Sequence, residues 1–236
     1  MMHVIDLIWD KLKPCTALYL SLLIGCSNPY CIEISKVPES GIIKLKPGAE
    51  GKDTVTGLYI NRKFGDSPFL TGYYVHQGSQ VYIDNGFLDF DLSSIPPNAI
   101  IKEATLKLFL DTTVMNFDKI PMEEKINPKK WAIQPIIEPW NEDSVDSDEE
   151  PLTAGQFQID LPPHNADYTC EINVTAMVKN QYLRPNLFFG FLIFIKSSTL
   201  ILEPESKMKN LRYCSSDYSN AGWHPELIVR YVTSPN

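Results

Sequence analysis

FLDFDLSSIPPNAIIKEATLKLFLD, residues 87–111, holds two apolar-alternating runs on either side of a Pro-Pro turn. In the first run Leu88, Phe90 and Leu92 fall on one face, and Phe87, Asp89 and Asp91 on the other. In the second, Leu106, Leu108 and Leu110 oppose Thr105, Lys107 and Phe109. A period of two is the mark of a half-buried strand. The prolines between the runs cannot donate to a ladder, so they end one strand before the next begins. On this pattern Asp89 and Asp91 are the outward residues of an amphipathic strand.

The same alternation extends in both directions. DTVTGLYINRKF (53–64) precedes the turn signal GDSPF, and KKWAIQPIIEPW (129–140) is an interrupted strand whose Pro135 suits an edge or a bulge. NEDSVDSDEEP (141–151) carries six acidic residues among eleven and reads as a solvated loop. QFQIDLPP gives another short strand. YTCEINVTAMVKNQYLRPN begins as a strand and turns helical over Thr175 to Tyr182, with Asn173 or Thr175 as the cap that takes a free first-turn N–H. FFGFLIFIK is apolar on both faces, the pattern of a covered central strand, and PELIVRYV alternates again. Roughly nine to eleven short strands with regular turn signals predict an all-β, two-sheet sandwich with one short helix. No second linker appears, so one domain accounts for the pattern.

Composition narrows the function classes. The chain has 236 residues, 44% hydrophobic and 21% charged, with 18 prolines against 12 glycines and a net charge of −8. That balance disfavours nucleic acid or an anionic membrane surface as the main partner, since both reward clustered Lys and Arg. At the N-terminus Lys11 and Lys13 precede an apolar run from Cys15 to Gly25, too short to span a bilayer at about 1.5 Å per residue. A basic flank before a short apolar core is the layout of a secretory signal peptide over residues 1–26. Its end, Leu23-Ile24-Gly25-Cys26, resembles the lipobox of bacterial lipoproteins, which implies lipidation of Cys26 and an outer-membrane or cell-surface location. A plain cleaved signal or a buried apolar strand are the alternatives, and Asp6 and Asp10 sit awkwardly with export. Residues 27–48, with Pro29, Pro38 and Pro47, read as a tether, leaving 49–236 as the domain. Cys31, Cys170 and Cys214 remain, with no CxxC spacing for zinc or thioredoxin-like chemistry; a Cys170–Cys214 disulfide stays open.

Four blocks in order carry a family resemblance. Phe90-Asp91-Leu92, Ser94-Ile95-Pro96 and Ala104-x-Leu106-x-Leu108 resemble the core signature of DNRLRE-type domains, bacterial extracellular modules classed among carbohydrate-binding modules. EPWNEDSV (Trp140, Glu142, Ser144, Val145), INVTAMVKNQYLRPNLFFGFLI and YCSSDYSNAGWHPELIVRY resemble the later blocks, so that the likeness covers about residues 50–233. His224-Pro225 stands where the family has Arg-Pro, Asp146 where it usually has a second Trp, and residues 111–130 look longer than usual. The resemblance implies a jelly-roll-like β-sandwich, no catalysis of its own, and polysaccharide binding, alginate being one class.

The residues themselves offer little for catalysis. His3, His76, His164 and His224 are dispersed, without metal or triad spacing. Asp89 and Asp91 lie about 7 Å apart along a strand, inside the range for an inverting glycosidase pair, but every amphipathic strand with two acids meets that criterion. No cofactor is expected; a structural calcium on these aspartates or on the acidic loop 142–150 is the open alternative. Sugar binding by a sandwich uses exposed aromatics, and the candidates are Tyr73, Tyr74, Trp131, Tyr218 and Trp223, with Trp140 set aside as a core position. Trp131 follows two lysines and is expected to be exposed. Arg62-Lys63 and Lys129-Lys130 are the local basic pairs available to an anionic sugar. The expected function is a non-catalytic, surface-anchored polysaccharide-binding module. The rival is a structural or adhesion sandwich that contacts protein partners through an apolar patch or an unpaired edge strand.

Overall fold

The structure, a computed structural model, describes residues 39–47, 52–57, 65–77, 80–113, 131–145, 150–196 and 209–233, with the backbone alone at 71–77, 80–82 and 209–210. Chain contacts divide between Lys36 and Val37, and every described residue belongs to the second unit. The elements in chain order are β1 Glu39–Leu45, β2 Lys52–Gly57, β3 Phe69–Gln77, β4 Gln80–Asp89, β5 Ala99–Phe109, β6 Trp131–Pro135, β7 Ile159–Asp160 and β8 Thr169–Asn173. The helix α1 Thr175–Leu183 follows, then β9 Phe191–Ile195, β10 Lys209–Cys214 and β11 Glu226–Thr233. All pairings are antiparallel. One sheet has the order β1-β11-β5-β8 and the other β10-β3-β4-β9-β6-β7, with β2 joining β4. The chain crosses between the sheets at β1–β2, β4–β5, β5–β6, β7–β8, β8–β9 and β10–β11, giving a jelly-roll-like sandwich with one short helix. Among the described residues no helix is long and apolar enough to cross a membrane.

The opening stretch forms a crossing between the two sheets. β4 ends at Asp89, Ile95 N–H donates to Leu92 O at 3.0 Å, and Ala99 N–H to Pro96 O at 3.1 Å. The Tyr182 hydroxyl from α1 donates to Pro96 O at 2.7 Å and accepts from Ala99 N–H at 3.1 Å, so the helix pins the turn. Along β5, Ala99 and Ile101 are buried, then Ala104, Leu106 and Leu108. The slip in phase falls at Lys102, where the register against β11 shifts between Arg230 and Tyr231; the extra residue is a β-bulge.

Leu88, Phe90, Leu106, Leu108, Ile133, Ile172, Phe191, Ile193, Leu227 and Val229 share the inter-sheet core. Burial of each such side chain favours folding by about 1.5–3 kcal/mol before entropy is counted. A second cluster of Phe87, Ile136, Trp140, Val145 and Leu192 forms separately from it, with Phe189 and Phe194 packed on. β9 therefore has one set of side chains in each cluster, as its doubly apolar sequence predicts. Phe87 is fully buried there, not outward, because the segment after β6 folds over it.

One boundary changes. Residues 39–45, read as tether, form a strand paired with β11 from Glu39↔Thr233 to Leu45↔Leu227. Residues 1–38, with Cys26, lie outside the described residues. Cys170 and Cys214 are both buried free thiols, on strands of different sheets, and burial pushes each up to about 12. The helix begins at Thr175 as expected; Asn173 Oδ1 accepts the Thr175 N–H at 3.1 Å, while the Thr175 hydroxyl turns to β5 and accepts Ala104 N–H at 2.9 Å.

Candidate functional site

The aspartates of the opening stretch are structural. Asp91 lies past the end of β4 and closes a turn, accepting Ser93 N–H at 2.8 Å and Ser93 Oγ–H at 2.6 Å, which lowers its pKa. Asp89 is half-buried and accepts Gln181 Nε2–H at 2.9 Å and its neighbour Phe90 N–H at 2.9 Å, tying β4 to α1. Burial raises its pKa against those bonds. Asp89 is thus not on a wet face.

The aromatic candidates separate sharply. Trp131, expected to be exposed, is 4% exposed and belongs to the main core, because it opens β6 and pairs with Ile195 of the covered strand β9. Trp140 is buried as expected, its Nε1–H donating to Phe189 O at 2.7 Å with the Lys52 ammonium 4.3 Å from its ring centre. Tyr73 and Tyr74 lie on β3, opposite Asn210 and Lys209 of β10. Arg62, Lys63, Lys129 and Lys130 lie outside the described residues. Tyr218 and Trp223 come together: their rings stack at 5.6 Å and 16°, and Trp223 is 37% exposed.

That pair ends a row of planar groups. Phe69 lies 5.9 Å from Tyr218, and the Arg212 guanidinium sits 3.8 Å over the Phe69 ring. Arg212 is fixed in turn by the buried Asp111, whose Oδ2 accepts from Nε at 3.1 Å and from Nη2. The Thr113 N–H and hydroxyl satisfy the other Asp111 oxygen at 2.9 and 2.6 Å. A paired, hydrogen-bonded buried carboxylate of this kind anchors geometry more than it adds stability.

The loop carrying Tyr218 and Trp223 is built from its own polar side chains. Ser215 Oγ donates to Ser67 O at 2.6 Å, and Asn220 Oδ1 accepts Gly222 N–H at 3.0 Å to cap the short 3-10 turn Ala221–Trp223. Lys46 Nζ donates to Ala221 O at 2.6 Å, and a ring nitrogen of His224 lies 2.7 Å from Tyr218 O. Beside the loop opens a cleft of about 450 Å³, lined by Asp66, Glu142, Asp143, Ser216, Asp217 and His224 together with Pro47 and Gly65.

Asp53, 1% exposed, lies behind the cleft wall, bonded to its Ser216. Its carboxylate accepts Ser216 N–H at 2.7 Å and Ser216 Oγ–H at 3.0 Å, while its own N–H donates to Glu142 Oε1 at 3.2 Å. Carboxylate oxygens of Asp53, Glu142 and Asp217 lie within 4.8 Å of one another. Burial is the main cause that raises all three, Asp53 to about 6; nearby carboxylates add to the rise, and His224 opposes it at Asp217. Such a trio supplies three of the six to eight oxygens that calcium takes. Of the acidic loop, Glu142 and Asp143 enter this wall and Glu150 accepts from Thr56 Oγ1 at 2.7 Å, so these residues are engaged, not merely solvated.

Asp53, Ser216, Asp217, Phe69, Arg212 and Asp111 escaped sequence reading. Only Asp111-Thr-Thr, an aspartate two residues before a hydroxyl and N–H that it can bind, carried a local signal. No protein-family model matches the chain, and no curated protein matches it.

Proposed function

We propose that this chain is a non-catalytic polysaccharide-binding module, a bacterial DNRLRE-like domain exported and held at the cell surface through a lipid on Cys26. The observation that carries the binding reading is the Tyr218–Trp223 stack, with Trp223 exposed and Tyr218 partly so, in a loop that also lines a cleft of polar side chains. An aromatic face buries the C–H face of a pyranose ring, and carboxylates and hydroxyls at its margin accept from sugar hydroxyls. The row from Asp111 to Trp223 holds the face in place before a ligand arrives, so little ordering entropy is lost on binding. The test is affinity electrophoresis of the full chain in neutral, acidic and basic polysaccharides, with and without calcium. Retardation by at least one polymer, lost in Trp223→Ala, is the expected result. Migration unchanged in every polymer overturns the reading.

One observation favours the rival. Ile42 on the edge strand β1 and Ile100 on β5 are 56% and 49% exposed, apolar surface of the kind that a protein partner covers. A flat polysaccharide panel would make that surface the leading candidate for function.

The anchor is tested on its own. Each buried methylene adds about 0.8 kcal/mol, so two or three acyl chains hold a protein where one does not. Cys26→Ala is expected to move the protein from the membrane fraction to the soluble fraction; undiminished membrane retention overturns lipidation at this residue.

A further inference from the structure

We infer that the glycan taken by the Tyr218–Trp223 face carries primary amines, as in a hexosamine polymer with free amino groups; the inference rests on the polysaccharide-binding reading above. The aromatic face and the cleft share one loop, since Asp217 and His224 of the wall directly adjoin Tyr218 and Trp223. On this inference a ring stacked on Trp223 turns its substituents toward the wall carboxylates Asp66, Glu142, Asp143 and Asp217, with the buried Asp53 carboxylate behind them, within 4.8 Å of those of Glu142 and Asp217. Lys46 donates to Ala221 O and Lys52 to Trp140 O; the Lys52 charge reaches Glu142 and His224 faces Asp217, so the wall's acids are partly offset from these two sides.

The sign of charge then selects among sugars that stack equally well. A protonated amine relieves the mutual repulsion of the crowded carboxylates and donates up to three hydrogen bonds to them. It also lies within reach of the electron-rich faces of Tyr218 and Trp223. An N-acetylated sugar of the same shape keeps the stacking and loses both charge terms. A uronate brings a further carboxylate to a wall whose acids are already destabilised by burial and by one another. The ordering amine, then acetamide, then uronate follows from these contacts alone.

The experiment is calorimetric titration of the full chain, with a chelator present to exclude metal bridging. The ligands are glucosamine, N-acetylglucosamine and uronic-acid oligomers of equal length, with oligolysine as a polycation that has no sugar ring. The glucosamine oligomer is expected to bind about tenfold tighter than its acetylated counterpart, and the uronate not at all. The advantage should shrink with added salt and vanish in a Glu142→Gln/Asp217→Asn variant of unchanged thermal midpoint, whereas Trp223→Ala should lose both neutral and amine ligands. The salt titration on the native chain decides the matter if the double variant does not fold. Equal or tighter binding of the acetylated or uronate oligomer overturns the amine inference and leaves glycan binding standing. Oligolysine binding as tightly as the glucosamine oligomer overturns it in favour of plain charge attraction. No binding by any sugar, with calcium restored as well, overturns both this inference and the reading beneath it.

Discussion

Trp131 and Trp223 carry the same side chain to opposite ends of the burial scale, 4% against 37% exposed. Their sequence neighbourhoods mislead about which is which. Two lysines precede Trp131 in the sequence, but burial there is decided by pairing with Ile195 on a strand covered on both faces. Trp131→Ala should therefore cost about 3–5 kcal/mol of stability. Urea unfolding measures it, and a midpoint close to that of the native chain would show that the ring does not pack as described. FFGFLIFIK reads as strand throughout, but the strand starts at Phe191, just after Gly190. Its φ is +95°, and a Cβ there would lie 2.3 Å from Leu88 O, so the glycine in FFGFLIFIK is where the chain turns tightly past β4. The opening aspartates were half legible: Asp91 has its hydroxyl partner two residues on, whereas the Gln181 that engages Asp89 is 92 positions away.

At the scale of elements, alternation located β4, β5 and β11, each with one buried face to match, and the doubly apolar run located β9. The bulge at Lys102 and the burial of Phe87 were hidden, since both depend on what a distant segment lays against the strand. The junction of β2 with the loops around Glu142 and Ser216 was hidden for the same reason, and it has a measurable pH signature. Asp53 ionises at about 6 in the folded protein against an ordinary value of 3.8. Between about pH 4 and pH 6 the fold holds a proton that the unfolded chain has released, so stability falls as pH rises through that window and levels off above it. The share from Asp53 is on the order of 3 kcal/mol. Asp84, raised to about 6 by burial, adds to the slope in the same direction. Asp53→Asn keeps an acceptor for Ser216 and should flatten the curve of urea midpoint against pH over this range. Identical slopes in variant and native chain would show that Asp53 titrates like an exposed carboxyl.

For the whole molecule, strand count and turn spacing pointed to two sheets and one helix, because so many half-apolar strands bury their faces when two sheets pack on each other. Strand order was not in the pattern. β1 and β11 are adjacent across 194 positions, from Glu39 to Thr233, and nothing local to either announces the other. That adjacency governs when the protein can become a protein. β11 lies between β1 and β5, so during synthesis two strands made early have no common neighbour until residues 226–233 have left the ribosome. Until then the four-stranded sheet is split, and the Leu227 and Val229 positions of the core are empty. The four-stranded sheet is therefore joined only when β11 is in place, in whatever order the other strands pair.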